Sequence, residues 1–142
     1  VSDRQLQEQY LRADLEHFGV DVETIETTDA ARTMLGHVAT LSERDGHALF
    51  GLHYVREGAN NGNKFVAMKL KKAWGLEPEC TDGFNYLDPY GKDQRPLWED
   101  WKSRLADYPL TDPEKDSVFA GARSMFERII ALHQDLESLA LA

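Results

Sequence analysis

The sequence predicts an all-α fold, and three observations carry that prediction. Proline is absent from residues 1–77 and then falls at 78, 89, 96, 109 and 113, so a long stretch lacks the residue that removes a helical hydrogen bond. Apolar residues recur at steps of three and four along most of the chain, the period of a helix with one buried face. Gly19 and Gly75 fall where such stripes end, the place for a left-handed residue without Cβ strain.

The elements follow in order. Ser2-Asp3-Arg4-Gln5 reads as a capping box, in which Ser and Gln each satisfy an orphan backbone N–H. The helix it opens carries Leu6, Tyr10, Ala13 and His17 on one face, widened by Leu11, Leu15 and Phe18, and Gly19 closes it. Residues 20–27 read as a connecting loop. Thr28 or Asp29 caps a second helix with the stripe Ala31, Met34, Leu35, Val38 and Leu41, and Asp45-Gly46 breaks it.

From His47 to Val55 the apolar residues Ala48, Leu49, Phe50, Leu52, Tyr54 and Val55 surround the helix almost completely, so this helix is expected at the centre of the domain. It runs into Arg56 to Asn63, rich in the weak helix formers Gly and Asn. Phe65, Met68, Leu70 and Trp74 then resume an apolar stripe that Gly75 ends. Residues 76–92 read as irregular, anchored by Phe84, Tyr86 and Tyr90. Arg95 to Tyr108 reads as a short helix with Leu97, Trp98, Trp101 and Leu105 inward. Thr111-Asp112-Pro113-Glu114 opens the last helix with a capping box and a first-turn proline. Its seam is Val118, Ala122, Met125, Ile129, Leu132, Leu136 and Leu139, the spacing of a long bundle helix.

The 142 residues fit one domain, 1–142. The net charge of −9 argues against nucleic acid and against an anionic membrane surface, since both need excess Lys and Arg. A single cysteine, Cys80, excludes an internal disulfide and fits a reducing compartment; its acidic neighbours disfavour a reactive thiolate. No apolar run reaches the twenty or so residues that cross a bilayer, and no signal-peptide pattern opens the chain. A soluble cytoplasmic protein is the expectation.

The most informative stretch is Gly58 and Gly62, four apart and therefore on one helical face, with Asn60, Asn61 and Asn63 around them. Two missing Cβ atoms let something flat or bulky approach the backbone, and the Asn side chains offer donors and acceptors. The same spacing also serves a close helix crossing or a kink.

Leu52-His53-Tyr54-Val55-Arg56-Glu57-Gly58-Ala59-Asn60-Asn61-Gly62-Asn63-Lys64-Phe65 resembles the distal-helix segment of bacterial, biliverdin-producing haem oxygenases, whose pattern is roughly Leu-Tyr-Val-x-Glu-Gly-Ser-x-x-Gly-Gly-Arg. The resemblance continues in order through Lys71-Lys72-Ala73-Trp74-Gly75-Leu76, Phe84-x-Tyr86-x-x-x-Tyr90-Gly91 and Trp98-x-x-Trp101-Lys102-Ser103-Arg104-Leu105. It reaches the last helix at Phe126 and Leu136, and so covers the chain from about residue 30 onward.

This resemblance implies a haem-oxygenase-like helical bundle with a kinked, glycine-containing central distal helix. It implies haem held between that helix and a proximal helix bearing the iron-binding His, O2-dependent cleavage to biliverdin, iron and carbon monoxide, and electrons from a reductase or ferredoxin. Carried over by position, Gly58, Gly62, Asn60 and Asn61 form the expected catalytic set. Tyr54, Gly58, Gly62, Lys102 and Arg104 are the expected haem-binding positions, the last two meeting propionates. Ala59 stands where the family usually has Ser or Asp.

The family's proximal His lies on its first helix, upstream of the matched residues. His17 is the only early histidine here, and its helix resembles a later family segment. With Val1 rather than Met at position 1, the resemblance implies that the iron-ligating helix is supplied elsewhere or has been given up. A homodimer or partner chain would then cover exposed apolar surface.

Two other readings follow. One is a non-catalytic haem-oxygenase-like binding or interaction module. The other is a di-iron oxidase of the same fold, using the i, i+4 pairs His53/Glu57 and His133/Glu137, four ligands where about six are needed. His37 and His47 read as surface residues, and Lys64, Lys69, Lys71 and Lys72 as a solvated basic face. No resident metal site is assigned.

Overall fold

Several helix ends in the computed structural model, which describes residues 3–140, fall where capping chemistry places them. Five α-helices result: α1 (Glu8–His17), α2 (Asp29–Arg44), α3 (Ala48–Ala73), α4 (Gln94–Asp107) and α5 (Asp112–Ala140). Short 3-10 turns cover Asp3–Gln5, Val22–Thr24 and Gly91–Asp93. Thr28 Oγ accepts from the Ala31 amide at 3.2 Å to start α2. The Thr111 amide and hydroxyl both donate to Glu114 Oε2 at 2.7 Å to start α5. Gly19 and Gly75 take φ +67° as left-handed residues after α1 and α3. The expected N-terminal capping box depends on Ser2, which lies outside the described residues; α1 begins only at Glu8.

Two compact units divide the chain. One is built from the residues up to Ile25 with Glu57–Asp107, the other from Glu26–Arg56 with the residues from Tyr108 on. Helix α3 contributes its first part to the second unit and the rest to the first.

In the second unit, α2 and α5 pack together and Leu52, Val55 and Met125 form the buried centre. Met34, Val38 and Leu41 of α2, Leu49 of α3, and Ala122 and Ile129 of α5 close around it. The α3–α5 crossing is set by glycine. A Cβ on Gly51 would lie 2.0 Å from the Val118 carbonyl oxygen, and one on Gly121 would lie 2.0 Å from the Ala48 carbonyl oxygen. Only main chain fits there. Asp135 of α5 accepts from the Ala30 amide at 2.8 Å, capping α2 from a distance.

Three expectations change in this unit. Leu35 leaves the predicted α2 stripe and is 66% exposed, because Met34 and Val38 fill the centre. The α5 seam is covered as far as Leu132, while Leu136 and Leu139 lie exposed. His37 and His47 are half-buried rather than on the surface, His37 with its Nε2 3.0 Å from Ser124 Oγ and His47 beside Glu114.

In the first unit, α1 is pinned to the irregular 76–92 segment by one buried carboxylate. Asp14 accepts from the Asn85 amide at 2.9 Å, the Asn85 side chain at 2.8 Å and the Tyr86 amide at 2.7 Å. Phe84 and Tyr90 are buried as anchors. On α3 beyond Gly62 the buried positions are Ala67 and Lys71, whereas of the predicted stripe Phe65, Met68 and Trp74 are exposed and Leu70 is half-buried. Lys71 leaves the predicted solvated face because its ammonium donates to the Pro78 carbonyl at 3.1 Å and lies 5.3 Å over the Phe84 ring. Helix α4 turns Leu97, Trp98, Trp101 and Leu105 inward, half-buried, as its spacing predicts.

Candidate functional site

The stretch from Glu57 to Asn63 is continuous helix despite its Gly and Asn content. Asn61 helps: its Nδ2 donates to the Gly58 carbonyl at 3.1 Å, and its Oδ1 accepts from Gln94 Nε2 at 3.5 Å. An Asn that bonds the backbone of its own turn and is held by a neighbouring element gains what its low propensity loses.

The two glycines differ in surroundings. A Cβ on Gly58 would meet Trp98 at 3.4 Å, ordinary contact with the indole of α4. A Cβ on Gly62 would meet nothing within 4 Å. The backbone at Gly62 is therefore bare, and Phe65, Val66 and Lys69 share its helical face. Phe65 and Val66 are exposed there. One turn of apolar surface with an amine at its end is the result.

Behind Gly58 lies a buried polar cluster. Glu57 is only 4% exposed. The Tyr90 hydroxyl lies 3.1 Å from its Oε2 and 3.3 Å from its Oε1, and Gln7 Nε2 reaches Oε1 at 3.4 Å. Gln7 also donates to the Tyr90 hydroxyl at 3.3 Å. Arg4 stands 5.8 Å over the Tyr90 ring and pairs with Asp93 at 3.3 Å. A buried carboxylate is tolerated when donors face it, as here. Asn60 Nδ2 and Gln94 Oε1, on residues 2% and 3% exposed, have no hydrogen-bond partner among the described residues. They are a donor and an acceptor for solvent or a polar ligand atom.

The remaining expected site residues are placed as follows. Tyr54 lies one turn before Gly58 on α3 and is partly exposed. Lys102 pairs with Glu99 at 3.0 Å and lies 5.4 Å over the Trp98 ring, which brings it into the Gly58–Trp98 group. Arg104 pairs with Asp100 at 2.9 Å. Lys102 and Arg104, two apart on α4, leave the helix on different faces. His17, the one histidine of this unit, stands with Phe18 against Gly83. Gln7 ties the start of α1 to Glu57, and Gly83 adjoins Phe84, which packs on Lys71 and Trp74.

The di-iron alternative finds no ligand set: among the described residues no group of three His, Cys, Asp or Glu could hold a metal. The Glu57 carboxylate is taken by Tyr90 and Gln7, and His133 Nδ1 donates to the Ile129 carbonyl at 2.8 Å. His53 is held neutral, its pKa lowered from 6.5 to about 4 by burial and then by the neighbouring Arg56.

Sequence reading missed Gln7, Asp14, Tyr90 as a hydrogen-bond donor, and Gln94, all polar residues bonded across 33 to 83 positions of chain. The nearest signal was Tyr90 itself, present in the matched Phe84-x-Tyr86-x-x-x-Tyr90-Gly91 series.

The described residues thus define an all-helical protein with a bare backbone turn on α3 and a buried polar cluster behind it. The heme oxygenase family model matches residues 3–135, and the chain belongs to the haem oxygenase family. That match takes in α1 and α2 as well as the segments from residue 30 onward. Comparison with curated proteins and with solved structures gives no match. No helix among the described residues is long and apolar enough to cross a membrane.

Proposed function

We propose that this chain binds haem as its substrate against the bare turn of α3 and takes part in its O2-dependent opening to biliverdin, iron and carbon monoxide, with electrons from a reductase or ferredoxin. The open face at Gly62, continued by Phe65 and Val66, carries this reading. A porphyrin needs a flat apolar surface free of Cβ atoms at the point of closest approach, and this turn combines exposed aromatic surface with open backbone in mid-helix. Lys69, on the same face, would meet a propionate in this reading.

In this reading the protein's own groups divide the work. Gly62 sets how close the macrocycle comes. Asn61 and Gln94 stiffen the turn through the Gly58 carbonyl. Asn60 Nδ2 and Gln94 Oε1 supply a donor and an acceptor for water near the turn. The axial imidazole would come from outside this unit, because its one histidine, His17, is set against Gly83.

A second reading is favoured by Trp98: a haem-oxygenase-like module that does not turn haem over. The indole covers Gly58, and Lys102 and Arg104 are each engaged by an acid on their own helix.

Hemin titration followed by a turnover assay with a reductase separates the readings. Expected for the enzyme is a saturable Soret change, lost on Gly62→Leu while the melting temperature holds, and biliverdin on adding reductant and O2. Saturable binding without biliverdin selects the module. A flat titration removes both haem readings.

A further inference from the structure

Helix α5 has a second stripe that the packing of its own unit leaves uncovered. Asp116, Phe119, Arg123, Phe126, Ile130, His133 and Glu137 follow one another at alternating steps of three and four, the spacing of a coiled-coil seam. It lies on the side of α5 away from the buried Met125 seam, and all seven residues are exposed. Phe119 is 70%, Phe126 58% and Ile130 57% exposed. Asp116 and Arg123 make no hydrogen bond or ion pair among the described residues. His133 uses Nδ1 on the Ile129 carbonyl, which leaves its Nε2 facing outward.

We propose that this stripe docks against the same stripe of a second copy of the chain, with the two α5 helices antiparallel about a two-fold axis between Ser124 and Met125. The register follows from the order of the residues. About that axis Phe119 meets Ile130 of the other copy, Arg123 meets the Phe126 ring, and Asp116 meets His133. The apolar layer buries large side chains, the second layer sets a cation over an aromatic face, and the third sets a carboxylate against an imidazole whose Nε2 donates in the imidazolium form. At the ends Asp112, already neutralised by Lys115 at 2.9 Å, comes opposite Glu137. A parallel pairing instead stacks Asp116 on Asp116, Arg123 on Arg123 and Glu137 on Glu137, so charge selects the antiparallel arrangement. A two-fold interface has to be self-complementary in this way.

Sedimentation velocity of the full chain over a wide concentration range tests the proposal. The expected result is a concentration-dependent species at twice 16.1 kDa, reduced to the monomer by Phe126→Glu and by Arg123→Glu with helical circular dichroism unchanged. Orientation is read by oxidation in a Cys80→Ser background. Asp116→Cys/His133→Cys should give a disulfide-linked dimer, whereas neither single variant should. A monomer at every concentration overturns the proposal. So does a dimer that survives Phe126→Glu, or cross-linking by Asp116→Cys alone.

Discussion

At the scale of single residues, the glycine pair that drew attention in the sequence separates into two different positions. Gly58 is in contact with Trp98, while Gly62 faces open space in mid-helix. Gly62→Ala should therefore stabilise the fold by ~0.5–1 kcal/mol through the ordinary helix preference for Ala, and thermal melts check this. If haem lies on that turn, the same substitution weakens hemin binding, so stability and affinity move in opposite directions. Tyr90→Phe removes a donor from the buried Glu57 carboxylate and should cost about 1–3 kcal/mol by denaturant titration. His53 makes stability depend on pH. Its folded pKa of about 4 lies below the ordinary 6.5, so between those values the unfolded chain takes up a proton that the folded chain refuses. Stability contributed by neutral His53 is present above pH 6.5 and lost as pH falls toward 4. His53→Gln should lessen the drop in melting temperature between about pH 7.5 and about pH 5; an unchanged drop would assign the acid sensitivity to other groups.

At the scale of elements, helix starts and stops were the most legible part of the sequence. Thr28, Thr111-Glu114, Gly19 and Gly75 act within one turn of where they sit, so local chemistry suffices to read them. Which face each helix buries was legible only where the stripe is dense, as with Met34, Val38 and Leu41 on α2. On α3 the periodicity chose Phe65, Met68 and Trp74, yet Ala67 and Lys71 are buried. The 76–92 segment decides the outcome by presenting the Pro78 carbonyl and the Phe84 ring to Lys71. Hydropathy cannot foresee a buried ammonium whose partners have no helical period. Asp14 was missed for the same reason. Its three bonds all go to residues 85 and 86, and Asp14→Ala should release the segment from α1, with faster amide exchange at Asn85 and Tyr86 as the readout.

At the scale of the whole molecule, the all-α class and the family were both legible, because of the proline distribution and an ordered series of short motifs from about residue 30 onward. The sequence marks Gly58 to Gly62 as a candidate stretch but carries none of its geometry. Nothing in the spacing distinguishes the covered glycine from the open one, since the difference comes from Trp98 on another helix. The two glycines with the least room, Gly51 and Gly121, lie outside any motif the sequence offered. Each faces a carbonyl oxygen across the α3–α5 crossing. Gly51→Ala or Gly121→Ala should cost about 3 kcal/mol or more, at the upper end of overpacking effects, and urea titration of either variant checks it.

That crossing also constrains how the protein can change over time. Because each glycine opposes main chain rather than a side chain, no substitution on the facing helix can make room for a methyl group. The one available relief is to move α3 and α5 apart, and a single separation accommodates a methyl group at both positions. The pair should then behave as one spacer: the double Ala variant should lose markedly less than the sum of the two single losses. A lineage that had lost one of these glycines would have little further reason to keep the other.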